Sequence, residues 1–137
     1  MLLSRKGVLA IAAVIDVALH SRGRPVSAKT LADRHGLPPR HLEPVLQALV
    51  HEGILKGVRG PRGGYELGRE QHRITADQIL RAAGQADDGD GAHLPHSQLV
   101  DGVILPALSQ AERAFATALA QINVEALSRR AGQLKST

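Results

Sequence analysis

Residues 25–68 read PVSAKTLADRHGLPPRHLEPVLQALVHEGILKGVRGPRGGYELG, and the punctuation of this stretch decides the fold. Ser27 is placed to cap a short helix, its hydroxyl accepting from an N–H group that a first helical turn leaves unpaired. That helix turns Leu31 and Ala32 inward and stops at Gly36, which accepts the left-handed conformation of a helix end. Leu37, Pro38 and Pro39 make a turn. Beyond them Leu42, Val45, Leu46, Leu49 and Val50 recur at the three-and-four spacing of one buried helical stripe. Arg40, His41, Glu43 and Gln47 are left for the opposite face. Gly53 ends the second helix, and Ile54–Arg59 and Tyr65–Gly68 read as two strands joined by Gly60-Pro61-Arg62-Gly63-Gly64. Helix, turn, helix and a basic-tipped hairpin describe a winged helix-turn-helix. The expected fold is mainly α with a small β-hairpin wing, and the expected ligand is double-stranded DNA.

The bulk numbers agree with this. A chain of 137 residues buries one core and carries one further long element. Aromatic residues are nearly absent, Tyr65 and Phe115 only, so the core must be built from Leu, Val, Ile and Ala. No apolar run approaches the ~18–20 residues that cross a membrane, and Met1–Gly7 does not read as a signal peptide. With no cysteine, disulfides and thiolate metal sites are excluded, which fits a cytoplasmic protein. The net charge is +4, unevenly spread. Residues 1–70 hold 11 Lys/Arg against 6 Asp/Glu, whereas residues 71–137 hold 6 against 7. A basic half that coincides with the helix-turn-helix suits phosphate binding, although an ordinary solvated surface has the same balance.

Outward from the central stretch, Ser4–His20 forms a first helix with Val8, Ile11, Ala12, Ile15 and Leu19 on one face. Ser4, Arg5 and Lys6 at its start either meet a DNA phosphate or only cap and solubilise that end. Pro44, inside the second helix, removes the bond to the carbonyl of Arg40 and is expected to kink it slightly. The hairpin has two readings as well, a plain structural turn or a tip whose Arg59 and Arg62 enter a minor groove, where negative potential attracts guanidinium. Ile74–Gly84 is a helix with Thr75 and Gln78 as a capping box and Ile74 with Ile79 as a hydrophobic staple. Gln85–Ala92 is polar and glycine-rich, a loop. From about residue 95 to 122 the chain is helical again. Ile104, Leu108, Ala111, Phe115, Ala118 and Ile122 form a 4-3-4-3-4 seam that packs lengthwise on another helix, in this chain or in a second copy. Pro106 is expected to bend this helix near its middle. Asn123 caps a last short helix through about Arg130. The expected units are therefore 1–84, the winged helix-turn-helix; 85–94, a flexible loop; and 95–137, a dimerisation helix with a short helix after it.

Lys6-Gly7, Leu42-Glu43 and above all Val58-Arg59-Gly60-Pro61-x-Gly63-Gly64-Tyr65 resemble the Rrf-two family of winged-helix transcriptional regulators, over Ser4 to about Arg130. The resemblance implies a homodimer in which the long helix crosses to the partner. It implies that Pro38–His51 enters the major groove and that the Arg59-Gly60 tip reaches the minor groove. It also implies that Glu43 contacts bases, where a carboxylate can accept from cytosine. One departure is plain. Cluster-bearing members carry three cysteines and a histidine between the capping-box helix and the dimer helix, whereas here Asp87–His96 has no cysteine and offers His93-Leu-Pro-His96. No iron–sulfur cluster and no other cofactor is therefore expected. His93 and His96, three apart, either bind a divalent metal or simply cap or face solvent. Any effector, metal or small organic molecule, is expected at this segment.

The resulting expectation is a dimeric repressor that binds a palindromic operator through Ser4, Lys6, Arg40, His41, Glu43, Gln47, Arg59, Gly60 and Arg62. The competing class is a winged helix used as a protein-interaction module without a specific DNA target. An enzyme has no support, because the seven histidines are scattered and no nucleophile–base or paired-carboxylate spacing is present.

Overall fold

A computed structural model describes residues 5–85 and 97–134. Helix α1 (Arg5–His20) leads into α2 (Ala28–His35) and α3 (Pro39–His51), followed by the antiparallel strands β1 (Leu55–Val58) and β2 (Gly64–Leu67). A 3-10 turn (Gln71–Arg73) precedes α4 (Ala76–Gln85). A π-helical turn (Val100–Ile104) opens α5 (Leu105–Ala120), and α6 (Val124–Gly132) closes the described chain.

The local signals act as read. The Ser27 hydroxyl accepts from the Thr30 N–H at 3.1 Å, and Gly36 ends α2 at φ 64°. Pro38 stands at the N-cap of α3 and Pro39 at its first position, where a missing N–H costs nothing. The Asn123 carboxamide caps α6 by accepting from the Ala126 N–H at 2.8 Å. At α4 the capping box is half made. Gln78 Oε1 reaches back to the Thr75 N–H at 3.2 Å, but the Thr75 hydroxyl donates to Asp77 instead.

The core lies where α1, α3 and α4 meet. Leu31, Leu42, Val45, Leu46, Leu49, Ile54, Leu55, Ile74 and Ile79 are all essentially sealed from water. Burial of each such side chain stabilises the fold by roughly 1.5–3 kcal/mol. Leu55 pairs with Leu67 and Val58 with Gly64 in the hairpin. Val26 adds a third, one-residue rung by exchanging backbone bonds of 2.9 and 2.8 Å with Tyr65.

Two expectations need correction. Helix α1 buries Ala10, Ala13, Val14 and Val17 rather than the stripe that begins at Val8, which is 56% exposed; Ile11, Ala12, Ile15 and Leu19 are only partly covered. Both faces of α1 are apolar, and the small residues win because they let α3, α4 and α6 approach closely. Pro106 does not stand at the middle of α5: it occupies the helix's first turn, directly after the π-helical turn.

After α5 the chain returns to the winged domain. Ala76 donates to the Ile122 carbonyl and Val124 to the Ile74 carbonyl, both at 2.8 Å, and Val124 lies in the core beside α1. Among the described residues no helix is long and apolar enough to cross a membrane.

Candidate nucleic-acid interface

Helix α3 presents its two faces cleanly. Leu42, Val45, Leu46 and Leu49 are buried, while Arg40, His41, Glu43 and Gln47 are all exposed. Arg40, Glu43 and Gln47, three and four residues apart, form one stripe, and the Pro44 ring lies exposed within it. His41 is rotated off that stripe by its spacing. The helix end is held by Arg69, whose Nη2 donates to the Glu52 carbonyl at 2.7 Å and whose Nη1 donates to Gln78 at 3.3 Å. Helix α3 is thereby tied to both the base of the hairpin and α4.

The hairpin tip is shaped by what cannot fit. The Gly63 N–H closes a turn onto the Gly60 carbonyl at 2.9 Å, with Pro61 and Arg62 as the two central residues. A Cβ on Gly63 would sit 2.1 Å from the Val58 carbonyl oxygen, and one on Gly64 would sit 2.4 Å from that of Val26. Neither neighbour can move, since both are backbone. The glycines let the strands close, and the closure holds Arg59 and Arg62 exposed on either side of the tip, with Gly60 between them.

Tyr65, the residue after this lock, has its titration shifted. Burial and, secondarily, the Glu43 carboxylate raise its phenol above 10.0. The base of the wing and the centre of the exposed α3 stripe are thus electrostatic neighbours.

Sequence reasoning missed a feature on the other side of α2. Asp16, its side chain 5% exposed, accepts from Arg34 Nε and Nη2 at 2.9 Å each, from His35 Nε2 at 3.1 Å and from His20 Nδ1 at 3.2 Å. Arg34 and His35 fill three of the carboxylate's acceptor positions, and His20 Nδ1 is shared between the fourth and the Asp16 backbone carbonyl at 3.0 Å. The signal was available, since a lone Asp inside the apolar run AIAAVIDVAL demands partners. Their identity was not, because Arg34 and His35 meet it only through packing.

The remaining expected residues fall as follows. Lys6 is half-buried in the first turn of α1. Ser4, His93 and His96 lie outside the described residues. On α5, Leu108 is 54% exposed, Ala111 and Ala118 are exposed, Phe115 is half-buried, and Ile104 and Ile122 at its flanks are exposed. No residue of α5 is buried. The chain has no cysteine, and the described residues hold no group of three His, Cys, Asp or Glu able to hold a metal. This donor set does not fit a thiolate-held iron–sulfur cluster.

A family profile described as "Rrf2: Iron-dependent Transcriptional regulator" matches residues 3–130. The chain is 39% identical over 88 residues, 64% of its length, to the HTH-type transcriptional regulator IscR of Xenorhabdus nematophila. That match covers 54% of the relative, so the chain spans about half the length of the curated relatives it matches. Among solved structures, IscR of T. potens superposes with a TM-score of 0.73 at 28% identity, covering 100% of this chain and 94% of that one. CymR of B. subtilis superposes at 0.70 with 25% identity, covering 95% and 98%. These relatives are transcriptional regulators and not enzymes, and the chain belongs to the Rrf2 (Rrf-two) family.

Proposed function

We propose that the protein is a DNA-binding repressor of the cytoplasm that grips a palindromic operator as a homodimer and works without an iron–sulfur cluster. The observation that carries this reading is the joint exposure of the Arg40–Glu43–Gln47 stripe and the Arg59/Arg62 tip, on two elements fastened to each other through Arg69. A helix with that stripe suits the major groove, where Arg reads guanine, Gln reads adenine and a carboxylate accepts from cytosine. The tip suits the adjacent minor groove. Dimerisation through α5 supplies the two-fold symmetry of a palindrome, because its apolar seam lacks cover within the single chain. Occupation of such a site blocks the same stretch of promoter to other proteins. The relatives named IscR and CymR are regulators of this kind of architecture, and the absence of cysteine separates this chain from any cluster-based sensing.

The test is selection of preferred sequences from random duplexes, followed by titration over a range of salt. Half-sites about one helical turn (~34 Å) apart and affinity falling steeply with salt are expected. A monomer by sedimentation at micromolar concentration, with no preferred sequence, would sink the reading and leave the protein-interaction alternative.

A further inference from the structure

A cleft of about 960 Å³ opens between the end of α1, the α1–α2 loop, the start of α2 and the tip of the wing. Its size falls within the range of small-molecule sites. Three arginines line it: Arg24 from the loop, Arg34 from α2 and Arg62 from the wing, with His20 beside them. No carboxylate lines it. Asp16 lies behind the wall, where it holds Arg34 and His20. Arg34 uses Nε and Nη2 on Asp16, which leaves Nη1 unspent. Arg24 and Arg62 make no hydrogen bond or ion pair with the described residues. Ser27 Oγ donates to Thr30 Oγ1 at 2.9 Å, so the Thr30 hydroxyl proton is spare as well.

The arrangement is a built one. A buried carboxylate fixes one guanidinium in the wall through two hydrogen bonds, and two more guanidinium groups stand at the loop and at the wing. Guanidinium forks and a hydroxyl converging on one opening match a group with several negatively charged oxygens around one centre. We propose that this cleft is a phosphate-binding site shared by the α1–α2 loop and the wing, with Arg24, Arg34 and Arg62 as its cations and Thr30 as its neutral donor. Arg24 and Thr30 belong to neither the recognition helix nor the wing, so the site goes beyond the groove contacts proposed above. Its phosphate comes either from a free phosphorylated molecule or from the DNA backbone, and only the second source rests on the DNA-binding reading.

The experiment uses the full chain as wild type, Arg24→Gln and Arg22→Gln. Arg22 supplies the same charge from the same loop but does not line the cleft. In the first arm, inorganic pyrophosphate is titrated calorimetrically into DNA-free protein. Binding to wild type that weakens about tenfold or more in Arg24→Gln, and stays within about twofold in Arg22→Gln, assigns the site to a free phosphate. In the second arm, affinity for duplex DNA is measured against salt. A salt slope reduced by about one in Arg24→Gln and unchanged in Arg22→Gln, without pyrophosphate binding, assigns it to the DNA backbone. Thr30→Val, which removes the spare proton and leaves the charge, is expected to weaken the responsive arm by about fivefold, and it serves if Arg24→Gln melts early. If neither arm responds, or if Arg22→Gln and Arg24→Gln respond alike, the proposal is overturned. Operator binding and pyrophosphate binding that both ignore Arg24 leave the DNA-binding reading standing and remove this site; Arg24-dependent pyrophosphate binding without any DNA binding does the reverse.

Discussion

Helices α3 and α5 carry three leucines each, yet the fold treats them in opposite ways. Leu42, Val45, Leu46 and Leu49 of α3 have about 1% of their surface or less in water, whereas α5 buries none of its residues. The difference lies in cover rather than composition. Helix α3 is surrounded by α1, α2, α4 and β1, while α5 packs mainly on α4 and on the π turn that precedes it. The uncovered apolar seam of α5 is the surface that the proposed homodimer would bury.

The largest expected contrast comes from matched truncations. Leu46→Ala should cost roughly 2–5 kcal/mol of stability by urea unfolding, because the cavity it leaves cannot collapse. Leu108→Ala, at protein concentrations low enough to populate monomer, should cost under about 0.5 kcal/mol. Similar losses at both positions would break the comparison. Next, Phe115→Asp or Leu108→Asp should halve the mass seen by light scattering while leaving the thermal transition of the winged domain in place, since a charge would enter an apolar seam without a partner. A dimer mass retained by both variants would show that the seam lies elsewhere.

A finer contrast sits on α3 itself. Arg40→Ala or Gln47→Ala should cost about 1–3 kcal/mol on the preferred operator and little on random DNA, as measured by anisotropy. Equal losses on every sequence would make them phosphate contacts. The smallest effect belongs to Tyr65, the sole tyrosine of a chain without tryptophan, so its titration can be followed by ultraviolet absorbance. Its raised value means that the fold favours the neutral phenol. The stability this contributes is complete below the unfolded value near 10 and is lost as pH rises through the higher folded value. Glu43→Gln should lower the folded value towards 10 without reaching it, because burial, the larger cause, remains. No change in Glu43→Gln would show that the recognition stripe and the base of the wing are not in electrical contact.

How much of this was legible followed the range of the interactions. Ser27, Gly36, Asn123 and the Gly60–Gly64 turn act on the backbone within a few residues, and they read correctly because nothing distant can overrule them. The stripe of α3 was legible because its other face is polar. Helix α1 offered no such contrast. With apolar residues almost all round, its buried side was chosen by close approach of α3, α4 and α6 to Ala10 and Ala13, a tertiary preference that periodicity does not encode. The Asp16 cluster was hidden for the same reason, since its donors arrive from α2. The exposure of Arg40, His41, Glu43, Gln47, Arg59 and Arg62 was foreseen, but the bond from Arg69 to the end of α3 was not, as it acts across elements.

The antiparallel bridge between Thr75 and Asn123 has a mechanical consequence. It clips the chain together just before α4 and just after α5, so α5 is a handle fixed at its far end rather than an arm on a tether. The clip is flanked by Ile74 and Val124, neither of which has any surface in water. A pull or twist applied along α5 is therefore delivered into the interior of the winged domain, and the far end of the handle cannot be displaced without dragging the core with it.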